Sequence, residues 1–181
     1  MVQPDIIVRK ATLDDLKYTR DVSDMVNHAY QSKDGWTSER DIVQEERCDE
    51  ELVTSFIRQT GDPHVLLFAV EQPHKIVGTL QIQISPEHPS EAGIGFFSVS
   101  PFEQSRGIGS KLIRAALEEM KQMGMMYARM NVFENRPELL SWYKKLGFQE
   151  TGERKSYIRP GKLKDEGTCF LILKKPLQDV E

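Results

Sequence analysis

A chain of 181 residues, 39% hydrophobic and 29% charged, suits a single globular domain that buries roughly two thirds of its unfolded surface. Its 24 basic and 28 acidic residues leave a formal charge of −4, which offers no general attraction for nucleic acid. No apolar run approaches the roughly 20 residues needed to cross a bilayer, and Met1 to Lys10 lacks a signal-peptide core. Cys48 and Cys169 stand apart, as do His28, His64, His74 and His88, so neither a redox pair nor a metal site is expected. Two unpaired cysteines fit a reducing compartment, and the expected location is the cytoplasm.

The chain opens with a short strand, Ile6 to Arg9. Asp14 and Asp15 then start a helix running to Tyr30, its first-turn acids complementing the helix dipole. Residues 33–38 break the pattern as a loop, and Glu39 to Arg47 is charged and weakly helical. Asp49 caps a helix that carries Leu52, Val53, Phe56 and Ile57 and ends near Gly61. Val65 to Val70 is apolar throughout, as a strand covered on both faces would be. Ile76 to Ile84 alternates Leu80, Ile82 and Ile84 with Gln81 and Gln83, which predicts one buried and one wet face. A Pro- and Glu-rich link leads to a strand over Ile94 to Val99.

Next comes Gln104-Ser105-Arg106-Gly107-Ile108-Gly109-Ser110, followed by an amphipathic helix whose apolar residues include Leu112, Ile113, Ala116 and Met120. Gly124 ends that helix, and Met126 to Phe133 forms a further strand. Asn135, with Glu138 three residues on, resembles a capping box for the helix holding Tyr143, and Gly147 ends that helix at C′. Phe148 to Tyr157 and Gly167 to Leu173 close the chain as strands. No repeat, low-complexity tract or linker interrupts residues 1–181.

A strand, a glycine turn and a helix start together leave several backbone N–H groups unpaired at the positive end of a helix dipole, a geometry that binds phosphate. Gln104-x-x-Gly107-x-Gly109 in that setting resembles the pyrophosphate loop of the GNAT family of N-acetyltransferases. Trp142-Tyr143-Lys144-Lys145-Leu146-Gly147-Phe148 is similar to that family's second signature. The resemblance covers residues 66–158 well and the ends in outline. It implies an α/β fold with a mixed, mostly antiparallel sheet of six or seven strands, splayed at its centre and flanked by helices.

It also implies acetyl-coenzyme A as co-substrate, no metal, and direct transfer to an amine in a ternary complex. By the same resemblance the N–H groups from Arg106 to Ser110, with Gln104 and Ser105, hold the pyrophosphate, while Phe97, Ser98 and Val99 meet the pantetheine arm through their backbone. Tyr143 is the implied general acid. The family often has Asn seven residues before that Tyr. Here Arg136 takes the place, with Asn135 one earlier, and Arg136 is assigned to a phosphate. Where members often carry a catalytic Glu this strand has Gly93 and Gly95, so Glu91 is the candidate base and Glu134 a weaker one. Trp36, Glu39 and Arg47 are assigned to the acceptor, as a large aromatic beside charges in the region that builds the family's acceptor wall.

The expected acceptor is the primary amine of a small molecule, because no extended recognition module accompanies the domain. A protein N-terminus or lysine stays open, as does a homodimer. The rival reading is a non-catalytic acyl-coenzyme A-binding module on the same fold, suggested by Gly93.

Overall fold

The computed structural model describes residues 4–178 except 34, 37 and 44. Seven strands form one sheet: β1 (Ile6–Lys10), β2 (Val65–Glu71), β3 (Lys75–Ile84), β4 (Glu91–Val99), β5 (Tyr127–Phe133), β6 (Gln149–Ser156) and β7 (Cys169–Pro176), in the order β1-β2-β3-β4-β5-β7-β6. Every neighbouring pair is antiparallel except β4 and β5, which are parallel. Four α-helices flank the sheet: α1 (Thr19–Gln31), α2 (Glu50–Arg58), α3 (Ile108–Gln122) and α4 (Pro137–Lys145).

β2 explains the layering. Its apolar run is buried on both sides, with Leu66, Phe68 and Val70 packed among residues of α1 and α2 and Val65, Leu67 and Ala69 packed among residues of α3. Two cores on opposite faces therefore share one strand, which is why that strand shows no polar alternation.

Local signals placed several helix ends as expected. The Asp49 side chain accepts the Leu52 N–H at 2.8 Å and caps α2. Gly147 adopts φ +92° just past α4, while the N–H groups of Gly147 and Phe148 bond back to the carbonyls of Lys144 and Tyr143. That motif locks the last turn of α4, and with it Tyr143.

Other expectations are corrected. Asp14 and Asp15 do not open one continuous helix: residues Leu13–Tyr18 wind as a 3₁₀ helix before α1 begins. The cause is Asp15, whose carboxylate turns inward to accept two bonds from Arg9 and one from the Thr12 N–H, each 2.8 Å. None of the described residues of 39–47 is helical. The segment crosses as turns tied by a Val43–Leu163 bridge, with Ile42 and Val43 buried against Phe133, Tyr157 and Leu163. Gln81 is buried rather than wet, because helices cover that face of β3 as well. The start of α4 lies one residue beyond Asn135. Arg136 is its N-cap and Pro137, whose missing N–H costs nothing there, is its first residue.

Candidate functional site

β4 and β5 pair only from Glu91–Tyr127 to Ile94–Met130 and then part. The divergence starts at an irregularity in β4, where its register with β3 jumps between Thr79–Ser98 and Gln81–Gly95, and Phe96 takes φ +47°. Two hydroxyls hold this strained stretch: Thr79 donates to the Phe96 carbonyl at 2.8 Å and Tyr30 to the Phe97 carbonyl at 2.7 Å. Phe97 is then a wall shared by two cavities, one of about 200 Å³ along the glycine loop and a deeper one of about 240 Å³ where the strands separate.

The first cavity is bordered by Gln104, Ser105, Gly107, Ile108, Gly109 and Ser110. Gly107 sits at the N-cap of α3 with φ +72°, a conformation that leaves the first N–H groups of the helix unpaired and facing outward. No acidic residue lies in that first turn. The Gln104 Nε2 is buried without a hydrogen-bond partner among the described residues, a donor kept dry at the edge of a positive helix end. A Cβ built at Gly109 would lie 3.4 Å from the Phe97 ring, so glycine keeps this wall open. The other walls are aromatic: Trp142 stacks on Phe97 at 6.2 Å and 10°, and Trp36 approaches Trp142 at 6.0 Å. An anion held on backbone N–H groups, with an arm running over aromatic rings, fits this shape. The pyrophosphate and pantetheine of coenzyme A have that chemistry.

The side chains of four assigned residues turn to other partners or border the loop cavity. The Arg106 guanidinium is spent on Glu71 and Glu103, each at 2.5 Å, and on the Pro4 carbonyl, so it fastens the loop rather than lining the cavity. Ser98 is buried, its hydroxyl 2.9 Å from that of Thr79, and it lines neither cavity. Arg136 is held by neighbouring protein groups. It donates to the Trp36 carbonyl at 2.7 Å and to the Ser38 carbonyl, while Glu138 holds its Nε–H. Trp36 borders the loop cavity and not the deeper one. Val99 and Phe97 also line the loop cavity.

The deeper cavity gathers Tyr143, Tyr30, Glu39 and Arg47. Burial pushes the Tyr143 phenol well above its usual range and Tyr30 up to about 12, so both stay protonated at neutral pH. Glu39 is the buried carboxylate. Desolvation raises its pKa against the opposing pull of Arg47 and Arg136. Its Oε2 lies 3.4 Å from Arg47 yet accepts no hydrogen bond among the described residues. A dry phenol and a dry carboxylate facing one cavity have the pKa shifts suited to giving and taking protons.

Glu91 is not part of this group. It borders a different cavity beside Arg129, and its carboxylate is bound by Lys174 and Arg129. Burial raises its pKa, but those two cations outweigh it and hold the group ionised below the usual range. Glu134 is likewise committed: it accepts the Cys169 N–H at 3.0 Å and pairs with Arg154.

The model of the acetyltransferase (GNAT) family matches residues 24–148, more than half of the chain. The chain belongs to the GNAT family of acetyltransferases. A relative, the N-alpha-acetyltransferase RimI of Mycobacterium tuberculosis, is 29% identical over 106 residues, which span 58% of this chain and 65% of that protein. Among solved structures the fold matches yncA of Salmonella typhimurium with its cofactor acetyl-CoA, at a TM-score of 0.73 and 14% identity, over 98% of this chain and 96% of that one. It also matches the ribosomal-protein-S18-alanine N-acetyltransferase of Escherichia coli at a TM-score of 0.66 and 16% identity, over 98% and 97%. Identities this low speak for the fold alone. The parted strands and the loop before α3 are thus features of a GNAT sheet. Among the described residues no helix is long and apolar enough to cross a membrane.

Two site residues of this GNAT chain had no sequence signal. Tyr30 looked like the last apolar residue of an amphipathic helix, and only the fold brings its hydroxyl to β4. Trp142 stood beside Tyr143 in the second motif, but its stacking on Phe97 depends on where α4 lands.

Proposed function

We propose that this chain transfers an acetyl group from acetyl-coenzyme A directly to the primary amine of a small acceptor. Coenzyme A would supply the activated thioester, held by the N–H groups of Gly107 to Ser110 and by Gln104, with its arm beside Phe97, Val99, Trp142 and Trp36. The acceptor would enter the deeper cavity from the side of Glu39 and Arg47. Glu39 accepts the proton that the ammonium must lose before it can attack. Tyr143 donates its hydroxyl proton to the departing thiolate. A raised carboxylate pKa brings Glu39 closer to that of an amine, which makes the first proton transfer less uphill.

The observation that carries this reading is that Tyr143 and Glu39 line one cavity, and that this cavity shares the Phe97 wall with the anion-binding loop. A pocket of about 240 Å³ favours a small acceptor. The test is release of free thiol from acetyl-coenzyme A across a panel of small amines and peptides, with the acetylated product identified by mass. Amine-dependent thiol release is expected. Coenzyme A binding without turnover of any amine or peptide would instead assign the chain to acyl-coenzyme A binding alone.

A further inference from the structure

Among the described residues three charged side chains line the deeper cavity: Glu39, Arg47 and Arg136. One carboxylate against two guanidinium groups makes this pocket positive, in a chain whose overall charge is −4. Arg136 is already occupied by the carbonyls of Trp36 and Ser38 and by Glu138. Arg47 is not. A guanidinium has five N–H donors; the Arg47 side chain faces Glu39 at 3.4 Å, lies over the Tyr30 ring, whose centroid is 4.8 Å away, and interacts with the Tyr157 phenol as well. The pairing with Glu39 is loose, since the Glu39 oxygen nearest Arg47 accepts no hydrogen bond among the described residues. Two opposite charges thus stand side by side in a partly buried pocket, each with bonding capacity left over. Leaving such groups unfilled is costly unless something else completes them.

We propose that the acceptor is a zwitterion, an amine that also carries an anionic group in the manner of an α-amino acid, with the ammonium at Glu39 and the anion at Arg47. This rests on the acetyl-transfer reading above and names its substrate class. A carboxylate matches the guanidinium fork in two parallel bonds, and an ammonium pairs with the Glu39 carboxylate. The pair of ligand charges adds no net charge to the pocket. A polyamine would instead bring a second cation toward Arg47, and a plain alkyl amine would leave the guanidinium unanswered. Arg47 also borders a second cavity, of about 260 Å³, whose lining mixes Val43, Leu52 and Phe56 with Glu45, Glu46 and Arg159. An acceptor bound by both charges therefore has room beyond Arg47 for a side chain of mixed polarity.

The test compares kcat/KM for α-amino acids, their carboxamides and the matching decarboxylated amines, in the wild type and in Arg47→Gln and Arg47→Lys. Wild type is expected to prefer the free acids by about 10- to 100-fold, the usual range for a charged hydrogen-bonded contact. Arg47→Gln should erase that preference while leaving coenzyme A affinity, measured by calorimetry, unchanged. Arg47→Lys should restore part of it, because the charge returns without the fork. Equal turnover of acids, amides and amines by the wild type would overturn the zwitterion reading and leave acetyl transfer standing. Failure to acetylate any amine while coenzyme A still binds would overturn both. Melting temperatures of the two variants identify any that fail to fold, and the wild-type panel decides the question without them.

Discussion

Gly109 offers a perturbation whose size follows from the geometry. It is the second residue of α3 and its φ is unremarkable, so alanine costs little there beyond a 3.4 Å contact with the Phe97 ring. Valine differs. Its two γ-methyls extend past that Cβ toward Phe97 and toward Trp142, whose ring already lies 3.6 Å away. Those two rings form a stacked pair that walls the loop cavity, so the methyls must either displace the stack or fill the space beside it. Overpacking of this kind costs about 1–3 kcal/mol, which corresponds to a loss of roughly 5- to 150-fold in affinity if it falls on ligand binding. Fold stability should change less, because a valine in the first helical turn costs under about 1 kcal/mol of helix propensity. Calorimetric titration of coenzyme A into Gly109→Ala and Gly109→Val should therefore show near-normal binding for the first and weakened binding for the second, both with near-normal melting. Unchanged affinity in a folded Gly109→Val protein would remove the loop from the site.

Trp36→Ala should weaken coenzyme A binding by about 2- to 12-fold, the worth of an aromatic pair, and leave the acceptor KM nearly unaltered, since Trp36 borders the loop cavity; a selective rise in acceptor KM would return it to the acceptor side. Glu39→Gln should lower kcat/KM by roughly 10²–10⁴-fold and abolish the acid limb of the pH–rate profile. In the wild type that limb should sit above the ordinary carboxylate range because desolvation raises the Glu39 pKa, so activity falls as pH drops and Glu39 is protonated. An acid limb that survives in Glu39→Gln would assign it to another group. Asp15 tests stability: burial raises its pKa, but the bonds from Arg9 and Thr12 outweigh this and lower it. Its stabilising contribution is thus full above the usual carboxylate pKa and is lost as pH falls through the lowered value. Asp15→Asn should cost about 1.5–3 kcal/mol at neutral pH, with the gap to wild type closing in acid, and urea titration at several pH values measures both.

What was legible in the sequence was local. Asp49 and Gly147 act on backbone groups within a few residues, and the loop over Gln104 to Ser110 takes its character from its own glycines and the helix that follows. What was not legible depended on distant partners. Glu39 to Arg47 looked weakly helical, and although Glu39 and Arg47 were assigned to the acceptor, the cavity they line is built by α1, β4, β5 and α4. Arg106 was assigned through its backbone N–H, and nothing in the sequence showed that Glu71 and the Pro4 carbonyl bind its side chain. Arg136 answers carbonyls nearly a hundred residues away, and the same contact carries Trp36 toward Trp142. Glu91 was chosen for its strand, but parallel pairing brings Arg129 beside it and β7 supplies Lys174. In each case the residue type was informative and its destination was set by topology.

The central claim is that the deep cavity performs acetyl transfer with Tyr143 protonating the departing thiolate. Tyr143→Phe keeps the ring against Phe148 and removes only the hydroxyl. Thiol release from acetyl-coenzyme A, measured with the best acceptor in the variant and in the wild type, should fall by at least about 100-fold while calorimetric coenzyme A affinity stays near normal. A folded Tyr143→Phe protein that turns over at close to the wild-type rate would contradict the account.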